Sequence, residues 1–299
     1  MRMPARFAGL VGVGLTGLIP PTAFTAVAAE SYDNCTGFVD SLPAVISSQG
    51  TWCLRKDLST SVGTGVAIDI RTNNVTLDCN DFKIGGLAAG NGTRTNGIGA
   101  TGRSNITVRH CAVRGFFHGI KLDGAGHLVE HNRLDGNTWM GINVAGDGGM
   151  VRDNRVMTTG GATGVSSILK AIGISTQQNV DLEDNQVSGV AAAAGSGGWA
   201  VGIMTGANTA GRVAGNRIGN LVPDGDGWIY GVYAWGDEAG DRTVVADNTM
   251  TGNGSANSTA VWCDHTAGNH VVVADNVTDG FEVGSTGCAH VPNTNWFFD

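Results

Sequence analysis

Val129-Glu130-His131-Asn132-Arg133-Leu134 is followed by Val151-Arg152-Asp153-Asn154-Arg155-Val156, and that by Leu182-Glu183-Asp184-Asn185-Gln186-Val187. Each string reads apolar, two variable residues, Asn, one variable residue, apolar. Working outward, the same form appears at Leu77-x-x-Asn80-x-Phe82, Val213-x-x-Asn216-x-Ile218, Val245-x-x-Asn248-x-Met250 and, in shortened form, Val273-x-x-Asn276. Val108-x-x-Cys111-x-Val113 fits with Cys in the Asn position. The steps are 31, 21, 22, 31, 31, 32 and 28 residues, the spacing of a repeat architecture in which each unit is one supersecondary element.

A second signal occurs once per repeat. It reads Ala67-Ile68-Asp69-Ile70, Gly97-Ile98, Gly119-Ile120-Lys121-Leu122, Gly141-Ile142-Asn143-Val144, Ala171-Ile172-Gly173-Ile174, Gly202-Ile203, Gly231-Val232-Tyr233-Ala234 and Ala260-Val261-Trp262-Cys263. Short β-branched runs with period-2 alternation, punctuated by Gly and Asn, are strands, and no sustained helical period follows residue 30. Coils of three short strands, stacked in register, explain both signals, because one alternating face of every coil is then buried in a shared interior. The expected fold is all-β, a right-handed parallel β-helix or solenoid of about eight coils with long loops on one side. The recurrent Asn is expected at the bend between two strands, adopting left-handed backbone angles and bonding to its copies in neighbouring coils.

The start of the chain reads as an export leader. Arg2 and Arg6 precede the apolar stretch Phe7–Ile19, and Ala26-Val27-Ala28 has the small-x-small form of a cleavage site. The expected organisation is a signal peptide over 1–29, an N-terminal cap over 30–65, the β-helix over 66–282 and a C-terminal cap over 283–299. Export places the protein outside the cytoplasm, secreted or periplasmic, with no membrane span. Six cysteines then imply disulfides; six allow 15 pairings, of which proximity favours Cys35–Cys53, Cys79–Cys111 and Cys263–Cys288. Eighteen basic against 26 acidic residues give a net charge of −8, which loss of Arg2 and Arg6 deepens by two. Such a body repels nucleic acid, so no nucleic-acid partner is expected, and a polyanionic substrate needs a local basic patch or a bridging cation.

These repeats resemble the pectate-lyase-like superfamily of right-handed parallel β-helices over roughly Val66 to Phe281. Gly50-Thr51-Trp52-Cys53-Leu54 with Asp57-Leu58 resembles the entry segment of secreted bacterial members. The paired aspartates and Gly-His-Gly of the polygalacturonase-type hydrolases are absent, as is the Asp-Pro-His-Asp of the mannuronan epimerases. The resemblance implies a substrate cleft on the outward face of the Gly-Ile strands and their preceding loops. Repeat lengths agree: long connections at 85–96, 158–170, 188–199 and 220–230 flank short ones at 115–118 and 136–140, predicting a groove over low ground.

With Ile68, Ile98, Ile120, Ile142, Ile172, Ile203, Val232 and Val261 pointing inward, the outward column reads Asp69, Gly99, Lys121, Asn143, Gly173, Met204, Tyr233, Trp262. A second outward column reads Arg71, Thr101, Asp123, Ala145, Ser175, Gly206, Trp235, Asp264. Aromatic faces stack on pyranose rings and amides hold hydroxyls, so Asn143, Tyr233, Trp235 and Trp262 are the candidate substrate-binding residues for a polysaccharide partner. Uronate β-elimination needs a base and a neutralised carboxylate. Lys121, Arg71 or His118 is the candidate base, and Asp69 with Asp123, helped by Asp224 or Asp226, the candidate Ca²⁺ ligands. Each residue alone has an ordinary structural explanation, and only their convergence on one face makes a site. Two readings stand: a polysaccharide lyase acting on an acidic glycan, or a non-catalytic carbohydrate-binding, adhesion or envelope component.

Elsewhere, Arg109, Glu130, Arg152 and Glu183 are expected to form an outward ladder of alternating sign. Arg133, Arg155 and Arg217 form a less compensated basic column.

Overall fold

A strand of three or four residues buries little on its own, so these segments gain stability only by stacking, each coil supplying the partners of the next. The computed structural model describes residues 32–206, 211–235, 242–263, 271–288 and 294–298. The expected leader and Asp264 lie outside the described residues. The described strands form three sheets of ten strands each, paired in parallel along the stack. The chain is a right-handed parallel β-helix of about ten coils. Two more coils than expected arise because the end segments add strands of their own: Gly37–Phe38, Ala44–Ile46 and Leu58–Ser59 at one end, Val283–Thr286 and Trp296–Phe298 at the other.

Each coil runs from sheet 1 (for example Leu128–Glu130) through a tight turn to sheet 2 (Arg133–Asp135), and over a loop to sheet 3 (Met140–Ala145). The inward columns are in register as the repeat predicts. Leu77, Val108, Val129, Val151, Leu182, Val213, Val245 and Val273 stack in sheet 1, all fully buried. All three favoured disulfides are present, Cys35–Cys53, Cys79–Cys111 and Cys263–Cys288.

The asparagines differ from expectation in a way that explains the repeat. The left-handed residue is the one before the Asn: His131, Asp153, Asp184, Asp247 and Asp275 have φ of 53°, 53°, 54°, 58° and 56°. The Asn itself points inward, almost fully buried, and builds a ladder. The Oδ1 of Asn185 accepts from the backbone N–H and the Nδ2 of Asn154 at 3.1 and 3.0 Å. Its own Nδ2 donates to Val151 O at 2.8 Å and to Asn216 Oδ1 at 3.0 Å. The pattern runs on through Asn216, Asn248 and Asn276 to Asn295. Asn80 is not a rung. The turn after Val75–Asp78 is two residues longer than the next, with Asn80 and Asp81 both left-handed, so Cys79 takes the ladder position against Cys111, and Ile84, not Phe82, pairs with Val113.

The outward charge ladder forms on sheet 1. Glu130 lies opposite both Arg109 and Arg152, and Arg152 binds it at 2.7 Å. Arg109 pairs instead with Asp78 at 2.7 Å. Burial pushes the Asp78 carboxyl up, but the Asn80 N–H and the Arg109 guanidinium outweigh it and hold it below the usual range.

Candidate functional site

Sheet 3 carries the predicted face, and its geometry is set by a column of glycines. Gly97, Gly119, Gly141, Gly173, Gly202 and Gly231 stack at an inner corner. A Cβ on Gly173 would lie 2.6 Å from Gly202 O and 2.3 Å from Val187 Cγ1, so nothing larger fits. The corner turns the preceding residue outward and puts the following one in the core. It also corrects one coil of the predicted register. Gly173-Ile174 is that coil's Gly-Ile pair, so Ile174 stacks on Ile142, while Ile172 faces outward against Met140. Ser175, not Gly173, therefore follows Asn143 in the outward column, and Gln177 follows Ala145. The column otherwise stands as read: Asp69, Gly99, Lys121, Asn143, Ser175, Met204, Tyr233, Trp262.

The early half of this face is charged. Arg71 Nε holds Asp69 Oδ2 at 2.7 Å, an exposed pair. Lys121 is half-buried and Asp123 exposed on the strand His118–Ala125. His118 is 5% exposed, its Nδ1 2.8 Å from Asn96 Oδ1 and its ring against Phe117 at 4.8 Å and Trp139 at 5.0 Å. Burial, aided by the Lys121 charge, pulls its pKa down to about 3, so the imidazole is neutral at physiological pH.

The low ground expected here is closed over. Thr163 N–H donates to Asn91 O at 3.1 Å and Arg94 donates to Thr163 O at 3.0 Å, so the two long loops meet across the short coils. Arg94 also lies 4.5 Å over the Phe117 ring. Trp139 Nε1–H donates to Leu169 O at 3.0 Å, tying the same cover down.

The late half is aromatic. Tyr233 and Trp262 stack in register on adjacent strands, centroids 4.4 Å apart and planes 16° apart, both half-exposed. Tyr230 packs edge-on to Tyr233 at 5.0 Å, and Trp228 lies parallel to Tyr230 at 6.1 Å. Beneath them Met140, Ile172, Val201, Met204 and Tyr230 form an apolar cluster separate from the main core, with Trp139 and Trp199 against it. Burial, with the neighbouring Tyr233, pushes the Tyr230 hydroxyl up to about 12. Trp228 and Trp235 are 36% and 39% exposed. Asn143 is joined to this cluster, its Nδ2 donating to Met140 Sδ at 3.3 Å. Trp199, Trp228 and Tyr230 belong to the platform although the outward columns omit them. Their signal is in the sequence, since Trp199-Ala200-Val201-Gly202-Ile203 and Trp228-Ile229-Tyr230-Gly231-Val232 share one pattern.

The molecule is thus a parallel β-helix whose third sheet carries a charged half, covered over His118 but open at Arg71 and Asp123, and an open aromatic half. Residues 46–224 match the family described as NosD, periplasmic copper-binding protein, and the chain belongs to that family. No curated protein matches it. It is similar in structure to the Dettilon tailspike protein gp208, with TM-score 0.53 and 17% identity over 88% of this chain and 60% of that one. The chain therefore spans little more than half of that protein, and the likeness is one of fold alone. The A-module of the Azotobacter vinelandii mannuronan C-5 epimerase AlgE6 aligns at TM-score 0.45 and 13% identity, over 88% of this chain and 91% of that one.

Among the described residues, no cluster of His, Cys, Asp or Glu forms a copper centre. Every cysteine is in a disulfide, which removes the thiolates, and no three His, Cys, Asp or Glu residues among the described residues come close enough to hold a metal ion. His110 and His131 stack at 5.7 Å, but His110 is spent on Asp78. Of the two candidate calcium ligands, Asp69 is held by Arg71 and Asp123 lies exposed on the strand His118–Ala125.

Proposed function

We propose that this protein is an exported, non-catalytic β-helix that binds a polysaccharide on the aromatic half of sheet 3. The observation that carries the reading is the Tyr233–Trp262 stack, two parallel rings held in register on adjacent strands and half open to solvent. Coils repeat at about 4.8 Å, so such rings offer successive apolar faces along the stack, the requirement for an extended chain of pyranose rings. Trp228 and Trp235 widen the platform, and Asn143 supplies an amide at its edge.

The charged half supports binding rather than elimination. Arg71 is engaged by Asp69, and His118 lies beneath Phe117 and Trp139, where a sugar C5 proton does not reach it. Export is supported by the leader-like N-terminus and the three disulfides.

The test is a panel of neutral and acidic polysaccharides offered to the mature protein, read by binding and by ultraviolet absorbance of unsaturated uronate ends. Saturable binding to a polymer without new absorbance is expected. Absorbance that grows with time, and is lost in Lys121→Ala, would replace this reading with a lyase.

A further inference from the structure

A different face of the molecule carries an unexplained concentration of positive charge. On the outer side of sheet 2, register places Lys83, Arg133, Arg155 and Arg217 along one column, with Arg114 beside them. Arg133 and Arg155 are direct cross-strand neighbours, an arrangement that costs stability in an isolated sheet. Among the described residues, Arg114, Arg133, Arg155 and Arg217 have no carboxylate within ion-pair distance, while Lys83 binds Asp57. The Nε of Arg114 is buried without a hydrogen-bond partner. This happens in a chain of net charge −8, in which Arg55, Arg71, Arg109, Arg152 and Arg212 are each held by a carboxylate.

The same strip is where the surface is hollow. Depressions of about 600 and 180 Å³ flank Arg114, one of about 510 Å³ lies between Arg133 and Arg155, and one of about 160 Å³ lies at Arg217. They succeed one another along the stacking axis. Gln186, Ser188 and Thr249 line the last of them with amide and hydroxyl groups. The two columns end at Trp296 and Phe298, rings 6.5 Å apart and more than half exposed.

We propose that this trough binds a linear anionic glycan, one bearing carboxylates or sulfates at regular intervals, laid along the coil axis. Cations repeating at the coil spacing match charges repeating along a polymer. The interspersed amides and hydroxyls match sugar hydroxyls, and the terminal aromatic pair matches a sugar ring. Asp81, Asp135 and Asp153 line the same depressions, so a bound polyanion seats its charged groups on the arginines between them. The inference stands independently of the aromatic platform on sheet 3.

The experiment measures binding of the mature protein to polygalacturonate, heparin, neutral dextran and phosphatidylserine vesicles at low and high salt. The variants are Arg133→Gln/Arg155→Gln/Arg217→Gln, its Arg→Lys counterpart and Trp262→Ala. Expected is salt-sensitive binding to polygalacturonate or heparin that falls roughly tenfold in the Gln variant, the combined effect of three individually weak exposed contacts, and is largely restored by Lys. Unchanged polyanion binding in the Gln variant overturns the proposal, as does absent polyanion binding, equal binding to dextran, or preference for vesicles. Loss in Trp262→Ala alone would overturn the trough and leave the aromatic platform standing. Loss in the Gln variant alone would uphold the trough and count against the platform for that polymer.

Discussion

Asn185→Ala deletes one rung of the ladder, and its cost can be worked from the bonds it breaks. The side chain makes four: two donated, to Val151 O and Asn216 Oδ1, and two accepted, from the N–H and Nδ2 of Asn154. The Nδ2 of Asn154 keeps Val129 O and Arg152 O, and Asn216 Oδ1 keeps the Asn185 N–H, so those partners are partly compensated. The Asn154 N–H loses its acceptor in a site 2% exposed. One orphaned buried donor costs about 1–3 kcal/mol and the three remaining lost bonds about 1 kcal/mol net each, giving about 5 kcal/mol in all. Urea unfolding followed by circular dichroism and tryptophan fluorescence measures it, with exposed Gln186→Ala as a control expected within about 0.5 kcal/mol of the parent. An Asn185→Ala loss no larger than the control's would refute the ladder as a principal support of the fold. Asn185→Asp separates the two halves of the amide. It keeps the acceptor but sets a carboxylate against two oxygens, so its folded pKa should rise. Relative to the parent, its stability should fall as pH climbs above the ordinary Asp value and recover on acidification.

Three further outcomes follow from the packing and the electrostatics. Gly173→Ala forces a Cβ within 2.6 Å of Gly202 O and should cost about 2–3 kcal/mol, whereas Gly219→Ala, with no atom nearer than 3.6 Å, should cost less than half as much in the same denaturation assay. His118 has a folded pKa near 3 against 6.5 when unfolded. Its contribution is therefore intact above pH 6.5 and lost as pH falls toward 3; nuclear magnetic resonance should show an imidazole that does not titrate between pH 5 and 8. Removing Cys79–Cys111, which closes 32 residues, by Cys79→Ser/Cys111→Ser should cost about 4 kcal/mol by chain entropy and lower the thermal midpoint.

The fold was legible because burial repeats: one apolar residue before each Asn and one after it had to face a common interior. What sequence alone assigned wrongly was the division of labour at the turn. His131-Asn132 and Asp184-Asn185 both contain residues tolerant of left-handed angles, and the pattern does not say which adopts them; burial of the amide decides. The slip at Gly173 has a similar cause, since Ala171-Ile172 and Gly173-Ile174 are both plausible strand pairs until this coil's corner, where Val187 and Gly202 O leave no room for a Cβ, selects the glycine. The extra coil at the start has no ladder Asn, and the one at the end has Asn295 without the flanking apolar pattern of the other repeats, so neither gave a periodic signal. The contact of Asn91 with Thr163 was invisible, because loops 72 residues apart meet through backbone groups that any residue carries. The outward aromatics Tyr233 and Trp262 were readable from alternation. Trp199 and Tyr230 lie before the glycine corner, outside the alternating stretch, and are readable only from the pattern their two coils share.

The measurement that bears most directly on the account is the affinity of the mature protein for the best-bound polysaccharide, compared with Trp262→Ala and Lys121→Ala. Loss of one stacked ring should weaken binding by about 1–2 kcal/mol, roughly 5- to 30-fold, while Lys121→Ala leaves it within about twofold. Unchanged affinity in Trp262→Ala, with loss in Lys121→Ala, would contradict the aromatic platform and return the site to the charged half.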